Sequence, residues 1–590
     1  MSSTAVSRDP AIPALAHVPR ARRALERWAG ERPDRTGSVG VDGRGLTWRE
    51  IAASTAGLAG RLERDGVGAG DRVAVMAGRS RYALSGLLAV WARGASAVLL
   101  DERHPVDRLR WTTRDAGCVA LVSSEPDAGR LGLPVIATAG SEVAADRPAG
   151  TGPWAPDERA TEAYVVYTSG TTGRPKGVRV GFASLDNFLA NAESLEYRPG
   201  SRAASVVSPG FDGWLWSVLT PFVNGVTCVA LDASLGDLGA ALAVQEIDNV
   251  CMTPSLYATL GHLPRAEVAV VAGERCPDSL AARLRESAER VVNVYGPTEA
   301  TIAATLADTA RGEDPRTIGR PLSGCTVAVV DAELNEVPPG VAGELLIGGA
   351  GVALGYVGDT APGADRFVER DGVRHFRTGD LVTQHEDGQL GYLGRADTQV
   401  KTGGFRVELE EVESIACEVP GVAQAVAYLR GDPPTLAVGV RTAPGTPLDD
   451  ALRERLTAAF AARLPRQVCP ALIHRVTHVP LEHTGKVARH EVAALGEAAL
   501  SAAADDAPAT GGDHVLDYVL DHVLDAWSGV FGVRVTEDAD FFDGGGHSLL
   551  AAQLAARLEE RLGTAVSIPD VLIARTPRAL ADRIEETRAA

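Results

Sequence analysis

At 590 residues the chain is too long for one ordinary core, and length alone divides it into three or four domains. Hydrophobic residues make up 45% and charged residues 23%, the balance of an ordinary soluble globular protein. A formal charge of −19 excludes a nucleic-acid partner, which would need a broad basic face, but leaves room for a single nucleotide in a local site.

The chain opens MSSTAVSRDPAIPALAHVPRARR, with no uninterrupted apolar stretch of signal-peptide length, and no later run approaches the ~20 apolar residues of a membrane helix. A cytoplasmic protein with no membrane partner is expected. The pattern WREIAASTAGLAGRLERDG (48–66) predicts an amphipathic helix ending at glycine. Short apolar runs follow: RVAVMAG (72–78), SAVLLD (96–101), CVALVSS (118–124), AYVVYTSG (163–170) and VAVVAGE (268–274). Continuous apolar strands, each followed by a helical pattern, predict parallel sheets covered by helices. After GRADTQVKTGG (394–404) the texture becomes compact α+β. A helix is predicted near Glu408–Cys417, strands near Ala423–Leu429 and Thr435–Arg441, and a helix near Leu448–Leu464. SAAADDAPATGGD (501–513) reads as a linker. Beyond it, Val515, Leu516, Val519, Leu520, Val523, Leu524 and Trp527 fall on one helical face.

The seven cysteines (118, 228, 251, 276, 325, 417 and 469) are scattered and never spaced CxxC, so they read as buried free thiols, neither a disulfide framework nor a zinc site. Lysine and arginine total 58, yet only Lys176, Lys401 and Lys486 are lysines. An ammonium and a planar guanidinium are not interchangeable in a tight site. The three lysines are therefore candidates for positions that need an ammonium, against chance retention in an arginine-rich composition.

YTSGTTGRPKG (167–177) follows a strand and packs Thr168, Ser169, Gly170, Thr171, Thr172 and Gly173 into a loop whose amides and hydroxyls could cradle phosphates, with Lys176 at its end. The spacing is not that of a Walker A loop. The whole string resembles the phosphate loop of the adenylate-forming superfamily: acyl-CoA synthetases, luciferases and nonribosomal peptide synthetase adenylation domains. The resemblance continues in order through GLTWREI (45–51), RGASAVLLD (93–101), NVYGPTEAT (293–301), GELLIGGAGVALGY (343–356), FRTGDL (376–381), GRADTQVKTGGFRVE (394–408) and TGKVARHE (484–491). It implies ATP and Mg²⁺ as cofactors. Tyr295 would stack on adenine and Asn293 meet its polar edge. Thr298 would contact phosphate, Glu299 bind Mg²⁺, Asp380 hold the ribose hydroxyls and Arg395 reach the nucleotide. Asp397 would be the hinge and Lys486 the catalytic lysine, bridging substrate carboxylate and nucleotide, with Lys176 aiding the phosphate loop. Lys401 is read as structural or solvated. Leu354, Thr402, Gly403 and Thr484 depart from the usual arginine, isoleucine, arginine and asparagine, and none removes a catalytic group.

FDGWLW (211–216) resembles the peptide synthetase segment in which an aspartate, here Asp212, pairs with the substrate α-ammonium. Carried over position by position, the resemblance implies a substrate pocket of Asp212, Gly213, Trp216, Cys251, Val270, Ala272, Val294, Ile302, Ala303 and Lys486. Its lining is uncharged apart from the two ends, with small residues leaving room and Trp216 offering a flat wall. An aromatic L-α-amino acid, tryptophan or phenylalanine ahead of tyrosine, is the expected substrate, with a large aliphatic residue as the competitor.

DFFDGGGHSLLAAQLAARL (540–558) resembles a peptidyl carrier site, with Ser548 accepting 4′-phosphopantetheine at a helix start. The implied fold is an α/β adenylate-forming core (1–396), a small mobile α+β subdomain (397–500), a linker (501–513) and a helical-bundle carrier domain (514–590). No HHxxxDG string indicates a condensation domain and nothing after the carrier reads as a thioesterase, so a stand-alone adenylation–carrier pair is expected. It would start an assembly line or hold an amino acid for another enzyme. Implied partners are a phosphopantetheinyl transferase, a downstream synthetase or on-carrier tailoring enzyme, and an MbtH-like protein of the kind some relatives need. Two other readings compete. Asp212 and the fused carrier speak against a free acyl- or aryl-CoA ligase. Lys176, Glu299, Asp380 and Lys486 speak against a catalytically dead docking protein.

Overall fold

A computed structural model of the chain describes residues 17–140, 161–169, 175–232, 238–258, 260, 262–358, 364–396, 399–402, 405–431, 434–465, 468–480, 487–505, 515–531, 535–541, 548–564 and 566–589. Two large sheets dominate the core. In one, the strands Ala288–Tyr295, Ala266–Ala272, Asn249–Met252, Arg202–Ser205, Thr227–Ala230 and Thr36–Val39 lie side by side and parallel, with antiparallel strands at both edges. In the other, Glu162–Thr168, Ser96–Leu99, Arg72–Met76, Ala120–Ser123 and Val135–Ala137 are parallel, and Lys176–Gly181 closes back antiparallel on Glu162–Thr168. The near-continuous apolar runs of these strands are what burial on both faces requires.

Helices Ala83–Ala92 and Gly213–Val223 show why the core holds as one body. The first is buried at every position and the second at every position but Gly213. A helix apolar all round can only sit inside a protein. Both join one hydrophobic cluster with Trp28, Trp48 and Trp91. The predicted helix at 48–66 forms as Trp48–Arg64, started by a capping box in which Thr47 and Glu50 satisfy each other's backbone N–H. An antiparallel five-stranded sheet, which includes Val373–Gln384 and Leu390–Arg395, completes the core.

The smaller α+β unit has a hairpin (Gln399–Thr402 with Phe405–Glu408), a three-stranded sheet (Val422–Arg430, Thr435–Thr442, Leu472–Arg475) and helices Leu409–Cys417, Asp450–Arg463 and Arg489–Asp505. The last helix corrects one expectation. Residues 501–505, read as the start of a linker, continue it, because its alanine-rich end keeps good helix formers in register. The carrier unit packs helices Val515–Phe531, Ser548–Leu562, Ile568–Ala574 and Pro577–Ala589 around Trp527, Phe531 and Phe541. Phe541 meets the other two rings edge-on at 5.5 and 5.3 Å. Among the described residues no helix is long and apolar enough to cross a membrane.

Candidate active site

The carboxyl ends of the parallel strands converge on a cleft, the usual ligand position in open α/β sheets. Strand Ala288–Tyr295 delivers Asn293, Val294 and Tyr295, then turns through Gly296 and Pro297 into a 3₁₀ turn at Thr298–Ala300. Thr301 and Ile302 follow with φ of 57° and 69°, a left-handed pair of β-branched residues. Such backbone costs on the order of 1–3 kcal/mol per residue and must be held from outside. Thr301 Oγ1 donates to the carbonyl of Gly351 at 2.6 Å, and the Ala304 N–H to that of Tyr295 at 2.9 Å. A Cβ on Gly296 would stand 2.7 Å from Ala303 Cα, so the tight return needs glycine.

At the amino-acid end, Asp212, Gly213, Trp216, Cys251, Ala272, Val294 and Ile302 line one cavity, with Thr168, Thr298, Asp380 and Arg395 at its polar side. Val270 and Ala303 do not line it. Both are buried in the adjoining core, so these two positions of the expected wall are corrected. Val207, Phe211, Met252 and Thr253 join the lining instead, each one to five residues from an expected pocket position though not among those positions. Asp212 Oδ2 is buried and has no hydrogen-bond partner among the described residues. Burial pushes the carboxyl up to about 6; the Thr298 hydroxyl and the Gly213 and Ile302 amides oppose the shift, while Glu299 adds to it. Trp216 is backed by Phe188, 5.9 Å away between ring centroids.

At the nucleotide end, Asp380 is caged. Tyr295 Oη donates to Oδ2 at 2.5 Å, Arg395 to Oδ1 at 2.7 Å and Tyr392 to Oδ1 at 3.4 Å. Asn293 uses its amide to donate to the carbonyls of Pro315 and Thr317, at 2.9 and 2.8 Å. Its N–H groups therefore hold a loop. Asn293, Tyr295, Tyr392 and Arg395 line a second cavity that shares Gly273, Val294, Gly296, Arg395 and Gln399 with the first. Tyr392, absent from the expected set, sits two residues beyond strand position Leu390 and three before Arg395.

At the phosphate end, Thr168 and Lys176 pair across a hairpin, and Thr168 Oγ1 is buried without a partner among the described residues. Lys176 Nζ lies 3.6 Å from Glu299 Oε1 and 3.4 Å from Tyr356 Oη. Tyr356 in turn donates to Glu299 Oε1 at 2.8 Å. Glu299 is fully buried. Tyr356 ends the GELLIGGAGVALGY string, where a tyrosine after glycine could have been read as a site residue. Where Leu354 replaces the usual arginine, Arg374 donates from another strand to the carbonyls of Ala353 (2.6 Å) and Leu354 (3.2 Å). Among the described residues no group of three His, Cys, Asp or Glu forms a metal cage. One buried carboxylate beside hydroxyls fits Mg²⁺, which takes one or two protein carboxylates and completes its shell with phosphates and water.

The small subdomain covers this cleft through its hairpin. Gln399 borders both cavities, and Phe405 stands edge-on to Phe211 at 4.8 Å. Gly170, Thr171, Thr172, Gly173, Asp397 and Lys486 lie outside the described residues, as do the side chains of Lys401 and Ser548; the backbone of Ser548 opens its helix as expected.

Fold and cleft together define a nucleotide-dependent activating enzyme joined to a carrier bundle. The chain belongs to the AMP-binding enzyme family, whose model matches residues 25–357; the AMP-binding enzyme C-terminal domain matches 411–486 and a phosphopantetheine attachment site 521–584. It is similar to novobiocin biosynthesis protein H of Streptomyces niveus, 36% identical over 570 residues that cover 91% of each protein. It is 35% identical to phosphinothricin tripeptide synthetase PhsC of Streptomyces viridochromogenes, covering 96% of this chain and 53% of that one. Among solved structures it resembles holo-PA1221, a nonribosomal peptide synthetase protein with adenylation and carrier domains, at a TM-score of 0.78 and 25% identity, covering 97% and 98% of the two chains. The chain is thus an ATP-dependent, AMP-forming amino-acid ligase with a carrier domain, using ATP, Mg²⁺ and 4′-phosphopantetheine. It activates an amino acid and loads it as a thioester, with a phosphopantetheinyl transferase and a downstream synthetase as the partners its carrier implies.

Proposed function

We propose that the amino acid is an aromatic L-α-amino acid, activated in the cavity behind Asp212 and transferred to the chain's own carrier at Ser548. The observation that carries this reading is the buried Asp212 Oδ2, without a hydrogen-bond partner among the described residues, in a cavity that Trp216 also lines. A carboxylate oxygen removed from water without a partner gains most from a charged ammonium. Small residues at Gly213 and Ala272 leave volume beside the indole plane, and no charged group lines that part of the wall.

The roles are those the resemblance implies, and the described placement of Asp212, Thr168, Lys176, Tyr295, Glu299, Asp380 and Arg395 supports them. Asp212 takes the α-ammonium and Lys486 bridges the substrate carboxylate and the nucleotide. Tyr295 and Tyr392 flank the base, Asp380 accepts from the ribose, and Arg395 orients Asp380 while facing the nucleotide. Thr168 and the loop after it, with Lys176 and Thr298, hold the phosphates. Charge that builds on the phosphoryl oxygens needs cations already in place. Glu299 is the Mg²⁺ ligand, and the ion would neutralise the polyphosphate. The substrate carboxylate displaces pyrophosphate from the α-phosphorus; Ser548 would hold the 4′-phosphopantetheine, which would supply the thiol that takes the acyl group as AMP leaves its carbonyl carbon. Turning about Asp397 exchanges the Lys486 face for the hairpin face between these steps.

Similarity to a novobiocin biosynthesis protein supports a place in antibiotic assembly, in the cytoplasm, as a starter or as a loading partner for a tailoring enzyme, with an MbtH-like protein as a further partner. ATP–pyrophosphate exchange against an amino-acid panel tests the reading. Tryptophan, phenylalanine or tyrosine should exceed leucine and valine; the reverse order would overturn the substrate class.

A further inference from the structure

Arg108, on the core helix Val106–Asp115, reaches out of the core into the small subdomain. Its guanidinium donates to the carbonyl of Arg463 at 3.0 Å and lies 3.8 Å from the carboxylate of Glu411. Arg463 is the last residue of helix Asp450–Arg463, so its carbonyl belongs to the unpaired, negative end of that helix. Glu411 lies in the first turn of Leu409–Cys417. The two side chains are only 9% and 4% exposed. A buried arginine with two acceptors on another body is an orientation-specific contact. Rotating the small subdomain would separate Arg108 from both acceptors at once, so the contact belongs to this orientation alone.

The same turn of the core also grips the substrate loop. Asp101 accepts from Ser208, and the ring of His104 sits so close to Gly210 that a Cβ there would be 2.7 Å away. Residues 101–108 therefore touch both the loop leading to Asp212 and the subdomain that covers the cleft with its hairpin. In this orientation Gln399 and Phe405 face the cleft.

We infer that Arg108 is a positioning residue for the carrier-loading step: by pairing with Glu411 and the end of helix Asp450–Arg463 it selects the subdomain orientation in which the 399–408 hairpin faces the cleft. The assignment rests on the two-step reading above. It predicts that the two half-reactions respond differently to the same substitution, which a purely structural arginine would not cause.

The test uses the full-length holo-protein. Pyrophosphate exchange reports the first step, and single-turnover aminoacylation of the carrier, followed by intact mass, reports the second. Arg108→Met and Glu411→Gln should each slow loading by roughly tenfold or more while exchange stays within about threefold. The double swap Arg108→Glu with Glu411→Arg should recover part of the loading rate. Equal losses in both steps, with or without a lower melting temperature, would overturn the assignment, as would unchanged loading in both single variants. Absence of amino-acid-dependent exchange in the unaltered protein would instead defeat the activity itself, so the two failures are distinguishable.

Discussion

Asp101 and Asp212 are two buried carboxylates on either side of the loop 207–212, and the chain treats them in opposite ways. Asp101 receives a two-pronged bond from Arg79 at 2.6 and 3.0 Å, a third from the Ser208 hydroxyl and a fourth from the Arg103 amide. Burial works against its charge, but the Arg79 guanidinium overrides this and holds the carboxyl well below the usual range. Among the described residues Asp212 meets no cation at Oδ2, and burial lifts it to about 6. A saturated carboxylate fixes a loop; an unsaturated one is left for a ligand. The difference lies in partner supply, since both groups are removed from water.

Breaking the saturated side should have the largest effect. Arg79→Met leaves Asp101 buried without its cation and should lower stability by about 3–5 kcal/mol, read from a denaturant midpoint. The companion change Asp101→Asn should return part of that loss, because it removes the stranded charge. On the unsaturated side, Asp212→Ala should cost about 2–5 kcal/mol in the exchange kcat/KM, with little change in melting temperature.

Asp212→Asn sharpens the contrast through pH. A carboxyl raised from 3.8 to about 6 binds its proton more tightly in the folded state, so ionising it opposes folding. The asparagine variant should therefore be more stable than the parent above about pH 6, by up to about 3 kcal/mol, with the advantage shrinking as pH falls toward 4. Equal stability across that range would show that Oδ2 is not stranded. Trp216→Leu probes the indole that lines the same cavity and should shift the aromatic-to-leucine ratio of kcat/KM by about 1–3 kcal/mol. The smallest effect is on binding. The amino-acid KM should rise roughly tenfold per unit as pH drops below about 6, since only ionised Asp212 attracts the ammonium.

Much of this protein is legible without its structure. Thr168, Lys176, Asp212, Tyr295 and Glu299 lie in contiguous strings whose turn chemistry and spacing are local, and all come to the cleft. The helix at Trp48–Arg64 and the apolar face of Val515–Phe531 follow from periodicity and capping, which involve only near neighbours. Partnering is another matter. Tyr356 bonds Glu299, and Arg108 meets Glu411 because non-sequential strands and separate units are brought together. The sheet order shows why: Asn249–Met252 lies beside Arg202–Ser205, while Thr227–Ala230, between them in sequence, pairs on the other side. Position by position, Val270 and Ala303 belonged on the pocket wall; packing buries both in the adjoining core. Residue type and local pattern determined which groups could do chemistry. Only the folded arrangement decided which charges are neutralised, because burial and Coulomb interaction depend on distances through space that no local spacing encodes.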